Sequence, residues 1–120
     1  MGGGGGKGLF KGTRGARSNY AIQQGLQDKH IVGTNNYRQQ ISNGENPSIL
    51  TEDAASLLRE GVGRGKQYGN KKEVVDYGRT IGKYYDLKTG QYYDTTRATI
   101  HYDEHGNAHI VPAKPNWMIP

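Results

Sequence analysis

The strongest constraint on the fold is a strict alternation of polar and apolar residues over positions 96–103. Successive residues of a β-strand point to opposite faces of its sheet, so this pattern predicts a half-buried strand. The apolar side, which has to face a core, consists of Ala98, Ile100 and Tyr102. The polar side, which has to face a groove or solvent, consists of Arg97, Thr99, His101 and Asp103.

This strand belongs to a β-rich second half of the chain. Residues 73–111 are dominated by Tyr, Val, Ile and Thr, and turn signals at 89–90 and 105–106 divide them into short segments. The strands predicted in this half cover residues 73–77, 81–86, 91–95, 97–103 and 108–112.

Two helices are predicted ahead of these strands. Residues 52–60 form an amphipathic stretch with Thr51 as the expected N-cap. A shorter helix within 28–44 is predicted, with Asn35 or Asn36 as its N-cap. Helices followed by an antiparallel sheet of four to five strands define an α+β fold.

The register of the last hairpin decides which side chains share a face. A three-residue loop made of residues 105–107 keeps Ile110 on the apolar side, whereas a loop one residue shorter or longer would turn it outward. This loop sets Asp103 opposite His109. His101 and His109 are then predicted to lie diagonally on the polar face, roughly 5–8 Å apart.

Charge and composition limit the domain organisation. The chain of 120 residues has a net charge of +5, but residues 1–17 carry four basic side chains and no acid, which leaves +1 for residues 18–120. Residues 1–19 are Gly-rich and are expected to be a flexible linker from a larger precursor, with one domain over residues 20–120. The absence of Cys excludes a disulfide framework, and the lack of a long apolar run predicts no membrane span.

One basic patch stands out in this nearly neutral domain. Five basic residues and one acid lie within 59–72, and four glycines predict a mobile loop over 61–72. The loop lacks the Gly-Lys-Ser/Thr of a phosphate-binding loop. Arg64 and Lys66 are therefore candidate ligands for RNA phosphates, and a solvated loop without a partner is the alternative.

The polar face of the last hairpin suits RNA cleavage. The reaction needs a base for the 2′-OH, an acid for the leaving oxygen and donors for the phosphorane charge. His101 and His109 can exchange protons at neutral pH, while Arg97 and Thr99 can contact the phosphate.

Two alternatives to RNA cleavage without a metal are open. His101, His105 and His109 recur every four residues, which on a helix would form a metal face, but the alternation and Gly106 argue against a helix. The expected site therefore holds no metal and no cofactor, and a metal-dependent nuclease is the first alternative. The second alternative is a non-catalytic RNA-binding module, with stacking platforms at Tyr84, Tyr85, Tyr92 and Tyr93.

Residues 29–37, 48–51 and 100–115 resemble the type 50 toxin domain of bacterial polymorphic toxins. The resemblance covers 29–117, and residues 6–13 resemble the junction that precedes such modules. It implies a ribonuclease with the helix-then-sheet fold of barnase and RelE-like toxins, acting without metal. The positions that match the family motifs are His30, His101 and His109, which the resemblance implies to be catalytic. Lys29, Tyr37 and Arg97 are further candidates.

The resemblance also implies how such a module is used. It would be a monomeric domain, delivered as part of a larger secreted or cell-surface protein. It would act on RNA in the cytoplasm of the target cell. The producing cell would need a dedicated immunity protein, which we expect to be acidic because it has to cover the surface that binds an anionic substrate.

Overall fold

The helices lie mainly in the first half of the chain and the longer strands in the second. The computed structural model describes residues 17–120. Its helices are α1 (Gln24–Asp28), α2 (Asn35–Ser42) and α3 (Ala54–Gly61), with a 3₁₀ turn at Asn116–Met118. Its strands are β1 (Ala21–Ile22), β2 (Ile49–Leu50), β3 (Lys66–Tyr68), β4 (Lys72–Asp76), β5 (Gly82–Asp86), β6 (Gln91–Thr95), β7 (Arg97–Tyr102) and β8 (Asn107–Pro112). The predicted α+β class is confirmed.

The strands form two sheets instead of the single antiparallel sheet that the sequence suggested. One sheet has the order β1-β8-β7-β4-β3, in which only the β1–β8 pair is parallel, and the other has the order β2-β5-β6. Where β5 meets β2, Gly82 lies so close to the Ile49 carbonyl that a Cβ atom at this position would clash with it. Strands of two or three residues carry no readable period, which is why β1, β2 and β3 were missed.

Both predicted helices exist, and their starts are shifted by one or two residues. Helix α2 begins at Asn35, but its N-cap is Thr34, whose Oγ1 accepts a hydrogen bond from the Tyr37 amide at 3.1 Å. Helix α3 begins at Ala54 with Asp53 as N-cap instead of Thr51. A carboxylate at this position also benefits from the positive end of the helix dipole.

The core lies between α3 and one face of the five-stranded sheet. Leu57, Ile81, Ile100 and Ile110 are fully buried there. Along β7 the residues alternate between half-buried and buried, so the predicted inward face of this strand is confirmed. The opposite face, which carries the histidines, is left to the outside of this core.

The segment predicted as a mobile loop is held by a buried carboxylate. Glu73 on β4 is fully buried and accepts hydrogen bonds from the amides of Gly63 at 3.0 Å and Gly65 at 2.6 Å. It also accepts one from the Tyr102 hydroxyl at 2.6 Å. These contacts fix the turn that leads into β3, so the prediction of an unstructured loop over 61–72 was wrong.

Most of the expected linker, residues 1–16, lies outside the described residues. Arg17 belongs to the folded part, since its guanidinium sits 3.9 Å from the centre of the Tyr102 ring and donates to the Asn70 carbonyl. The domain boundary at residue 20 stays a prediction. None of the helices within residues 17–120 has the length and apolar character needed to cross a bilayer.

Candidate active site

The β7–β8 hairpin places two histidines side by side. His101 lies directly opposite His109, and Ile100 opposite Ile110. The predicted diagonal arrangement was therefore wrong. The three-residue loop consists of residues 104–106 instead of 105–107, because the Asp103 amide donates to the Asn107 carbonyl at 2.9 Å.

The assignment of side chains to the two faces of the sheet is correct in spite of this error. The true register differs from the predicted one by two positions, and a shift of two leaves every side chain on its original side of the sheet. Gly106 has a φ of +82°, the left-handed conformation that glycine adopts without strain, and it closes the turn. The Asp103 carboxylate accepts hydrogen bonds from the amides of His105 and Asn107, which also favours this turn.

Three imidazole rings form one row on this face. The ring centres of His101 and His109 are 4.8 Å apart, with 12° between the ring planes. His30 follows α1, which lies along the outer edge of β8, and its ring is nearly parallel to that of His109, with ring centres 6.5 Å apart and 13° between the planes. The structure thus brings together the three histidines that were predicted as catalytic, with His109 in the middle. We call this set the histidine row.

Gln27 holds α1 against β8 and so positions His30. Its side chain is fully buried, its Nε2 donates to the Ile110 carbonyl at 2.8 Å, and its Oε1 accepts from the Ile110 amide at 2.7 Å. The amide therefore replaces a neighbouring strand at this edge of the sheet. His30 is tied on both sides, because its amide donates to the Gln27 carbonyl and its carbonyl accepts from the Leu50 amide.

A backbone carbonyl selects the tautomer of His30. Its Nδ1 lies 2.9 Å from the Ser48 carbonyl oxygen, which can only accept, so Nδ1 carries the hydrogen and Nε2 carries the lone pair. Ser48 is itself held by the second sheet, since its Oγ accepts from the Tyr85 amide at 2.9 Å. The neighbouring Pro47 carbonyl accepts from the Tyr92 hydroxyl at 3.1 Å.

Burial keeps the histidine row neutral at neutral pH. Loss of solvation is the main cause that lowers the pKa of His30, and the nearby Lys29 lowers it further, against the Ser48 hydrogen bond. The pKa of His101 is lowered by burial, then by Lys72 and His30. Burial, with positive charge from His101, His30 and Lys29, lowers the pKa of His109 to about 4.

Two lysines flank the histidine row. Lys29 precedes His30 in the chain and acts electrostatically on both His30 and His109. Lys72 on β4 is the cross-strand partner of His101. Lys72 was not among the predicted site residues although it ends the basic patch, because only the register of β4 against β7 shows that it meets His101.

The other predicted residues lie at varying distances from the histidine row. Thr99 projects from the same face as His101, two residues away along β7. Thr99 pairs with Val74 on β4, and Val74 pairs with Lys66 on β3, so Lys66 lies two strands away from Thr99. Arg97 is four residues from His101, roughly 13 Å along the strand. Its Nη1 donates to the Lys114 carbonyl at 2.7 Å, which ties it to the C-terminal segment.

Arg64 and Tyr37 are also outside the histidine row. Arg64 lines a separate hollow with Glu60 and Tyr77. Tyr37 on α2 lies near Tyr92, and its charge contributes to raising the pKa of Tyr92 behind burial as the main cause. Neither residue has a contact with the histidines that would assign it to the same site.

The histidine row opens to the surface and not into a deep pocket. The hollow beside it has a volume of about 70 Å³ and is lined in part by His101, His109 and Leu26. This is far below the roughly 300–1,000 Å³ of pockets that enclose a small ligand. An arrangement of this kind suits an extended substrate that lies across the sheet.

The placement of the histidines also bears on whether they could share a metal ion. Within residues 17–120, no three His, Cys, Asp or Glu side chains are placed so that they could hold one. His105, the third histidine of the four-residue spacing, is exposed in the β7–β8 turn and not stacked with the other two. The pattern that suggested a metal face therefore reflects a turn between two strands.

Comparison with known proteins identifies the family of the chain. Neither a curated protein nor a solved structure matches the chain. The family model described as bacterial toxin 50 matches residues 22–112, a range that contains all three histidines of the row and both flanking lysines. Since the match covers most of the chain, the protein belongs to the bacterial toxin 50 family.

Proposed function

We propose that this toxin domain is an endoribonuclease that cleaves RNA without a metal, with the histidine row as its active site. The observation that carries the proposal is the row itself: three parallel, half-buried imidazoles between two lysines. Imidazoles exchange protons near neutral pH, and lysines stabilise phosphate charge. A nuclease that uses only proton transfer needs no further chemical group.

The two outer histidines suit the two proton transfers. In an in-line displacement the attacking and leaving oxygens lie on opposite sides of phosphorus, so the base and the acid have to flank the phosphate. His30 is the proposed base, because its Nε2 has a free lone pair and the Ser48 carbonyl stabilises the imidazolium that forms. His101, at the other end of the histidine row, is the proposed acid.

The step balances as a transphosphorylation. The 2′-oxygen forms a bond to phosphorus while its proton passes to His30. The bond from phosphorus to the 5′-oxygen breaks, and that oxygen takes a proton from His101. The products are a 2′,3′-cyclic phosphate and a 5′-hydroxyl. Neutral His109, between the other two, donates a hydrogen bond to a phosphoryl oxygen, and Lys29 and Lys72 stabilise the phosphorane charge.

Cleavage of total RNA by the purified domain tests the proposal. Activity should persist in EDTA, and the fragments should carry 2′,3′-cyclic phosphate and 5′-hydroxyl ends. His30→Ala and His101→Ala should each lose about 10²–10⁴-fold in rate, the usual contribution of a general acid or base. His109→Ala should lose about 10²–10³-fold, the usual contribution of a donor to developing charge. His105→Ala is the matched control, because His105 is an exposed histidine in the same hairpin.

Two results would contradict it. If EDTA abolishes cleavage and magnesium or zinc restores it, the domain is a metal-dependent nuclease that uses the same histidines. If the fragments carry 5′-phosphates, the 2′-hydroxyl is not the nucleophile.

A non-catalytic RNA-binding module is the second candidate. Tyr85 and Tyr92 are cross-strand partners, and their ring centres are 5.0 Å apart, so they share one face of the second sheet. Such a pair could stack against bases. Binding of RNA without any fragments would favour this function.

We further propose that a dedicated acidic immunity protein covers the active site. The domain would reach the target-cell cytoplasm as part of a larger secreted or cell-surface protein. Asp and Glu of the partner would face Lys29, Lys66, Arg64 or Arg97 in place of phosphates. Electrostatic steering would make its association rate fall as salt rises. Charge reversal at Lys66 should slow association more than charge reversal at Lys114.

A further inference from the structure

The line of the histidine row continues across the sheet beyond His101. His109, His101, Lys72 and Tyr68 are successive cross-strand partners on β8, β7, β4 and β3. Directly paired residues project from the same face of a sheet. Four side chains with distinct chemistry therefore stand in one transverse line, and Tyr68 ends it on the edge strand.

Tyr68 differs from the tyrosines that build the core. Tyr77 and Tyr102 bury their rings and donate their hydroxyls to the Leu57 carbonyl and to Glu73. The Tyr68 side chain is 48% exposed, and the Lys66 ammonium lies 5.4 Å from its ring centre. An exposed ring between two lysines, Lys66 beside it and Lys72 across from it, has both parts of a surface that binds single-stranded nucleic acid.

The spacing fits a nucleotide that is separated from the scissile phosphate by one further phosphate. Neighbouring strands lie about 4.8 Å apart, so Tyr68 is roughly 10 Å from His101 across the sheet, with Lys72 between them. With the scissile phosphate at the histidine row, the next phosphate along the RNA is also within reach of Lys72, and the base of the nucleoside beyond that phosphate lies near Tyr68. The route needs no enclosed pocket, in keeping with the small hollow beside the histidines.

We infer that Tyr68, with Lys66 and Lys72, forms a base-stacking subsite for single-stranded RNA, one phosphate beyond the bond that is cut. The inference rests on the proposed ribonuclease function. Every base has a π face, so the subsite selects unpaired RNA and not a particular base. Bases of a duplex are already stacked on their neighbours and cannot be held by the ring.

Substrate length provides the test. Tyr68→Ala should lower kcat/KM for a single-stranded octanucleotide about 5- to 100-fold, the range that one stacked base contributes. Tyr68→Phe keeps the ring and should stay within about twofold of the wild type. The exposed Trp117, in the 3₁₀ turn, provides the control Trp117→Ala.

A dinucleotide has only the scissile phosphate and no neighbour for Tyr68 to hold. Its cleavage should therefore change less than about twofold in Tyr68→Ala. Sensitivity should return with a trinucleotide extended on one side and not on the other, which would give the direction of the strand. Equal losses on the dinucleotide and the octanucleotide, or no loss on either, would overturn the subsite.

Binding of a 2′-O-methyl octanucleotide, which lacks the attacking hydroxyl, separates this inference from the proposed function. Weaker binding by Tyr68→Ala together with no cleavage of RNA by the wild type would disprove the ribonuclease and keep the stacking surface. Cleavage together with unchanged binding and unchanged kcat/KM in Tyr68→Ala would keep the ribonuclease and disprove the subsite.

Discussion

The Nδ1 atom of His30 faces a backbone carbonyl of the neighbouring sheet, and this contact leaves Nε2 as the only basic nitrogen of the ring. Among residues 17–120, no hydrogen bond orients the rings of the other two histidines of the row, which share the burial of His30. At the scale of single residues, the contact with Ser48 therefore distinguishes His30 from the other two histidines and supports a separate part for it in the proposed reaction.

The pH dependence of cleavage follows from these residues. The proposed base has to be neutral, which it is above its own lowered pKa, and the proposed acid has to be protonated, which it is below its own lowered pKa. Both values lie under the ordinary 6.5. The profile of kcat/KM, which reports the free enzyme, should therefore peak below pH 6.5 and fall as the pH rises. An optimum at pH 8 would contradict this assignment.

At the scale of the elements, the site depends on how α1 and the β7–β8 hairpin meet. Gln27→Leu leaves the amide and carbonyl of Ile110 unpaired in the core, at about 1–3 kcal/mol for each group. It also releases the segment that carries His30, and a displacement near 1 Å reduces rates roughly 10²-fold. Urea unfolding and RNA cleavage would measure both effects in a variant that circular dichroism shows to be folded.

Gln39→Leu is the matched control for this change, because Gln39 is an exposed glutamine on α2. It should leave stability and cleavage almost unchanged. Equal behaviour of the two variants would show that Gln27 does not position the site.

The hairpin supplies a second test. Ile110→Ala removes a fully buried side chain next to His109 and should reduce the free energy of unfolding by about 2–5 kcal/mol. His105→Ala, in the exposed turn, should change it by less than about 0.5 kcal/mol. Thermal or urea unfolding measures both, and a small effect at Ile110 would contradict the packing of β8 on the core.

The β7–β8 hairpin and α1 show which features of the structure could be predicted from the sequence. The alternation over 96–103 predicted the two faces of β7 correctly, because the buried residues follow a period of two. It could not predict the register of the hairpin, because two registers that differ by two residues bury the same side chains. Gln27 lies outside both helices that the sequence predicted, and only the position of β8 beside α1 shows that its amide completes the sheet and places His30.

At the scale of the whole molecule, stability and activity respond to pH in opposite ways. The folded-state pKa values of the three histidines lie below their unfolded value of 6.5, and His109 reaches about 4. The unfolded chain therefore binds more protons between these pH values, so stability is fully present above pH 6.5 and is lost as the pH falls. The groups that face the row, Lys29 and Lys72, add to this loss, and Asp103 opposes it.

Urea unfolding at a series of pH values would measure this dependence. The midpoint should decline from pH 6.5 towards about 4, and His109→Gln should reduce the decline because its side chain does not titrate. A slope that is the same in the variant and the wild type would show that His109 is not buried neutral in the folded domain.

The side-chain amide that docks α1 has one more consequence. Strand β1 pairs with β8 only at Asn107 and Ala108, so the next stretch of the β8 edge is covered by Gln27. An uncovered strand edge recruits strands from other chains. Without that amide, the amide and carbonyl of Ile110 would form an unpaired stretch of strand edge, next to the strand position that carries His109. A single glutamine side chain thus takes the place that a further strand would have in the sheet.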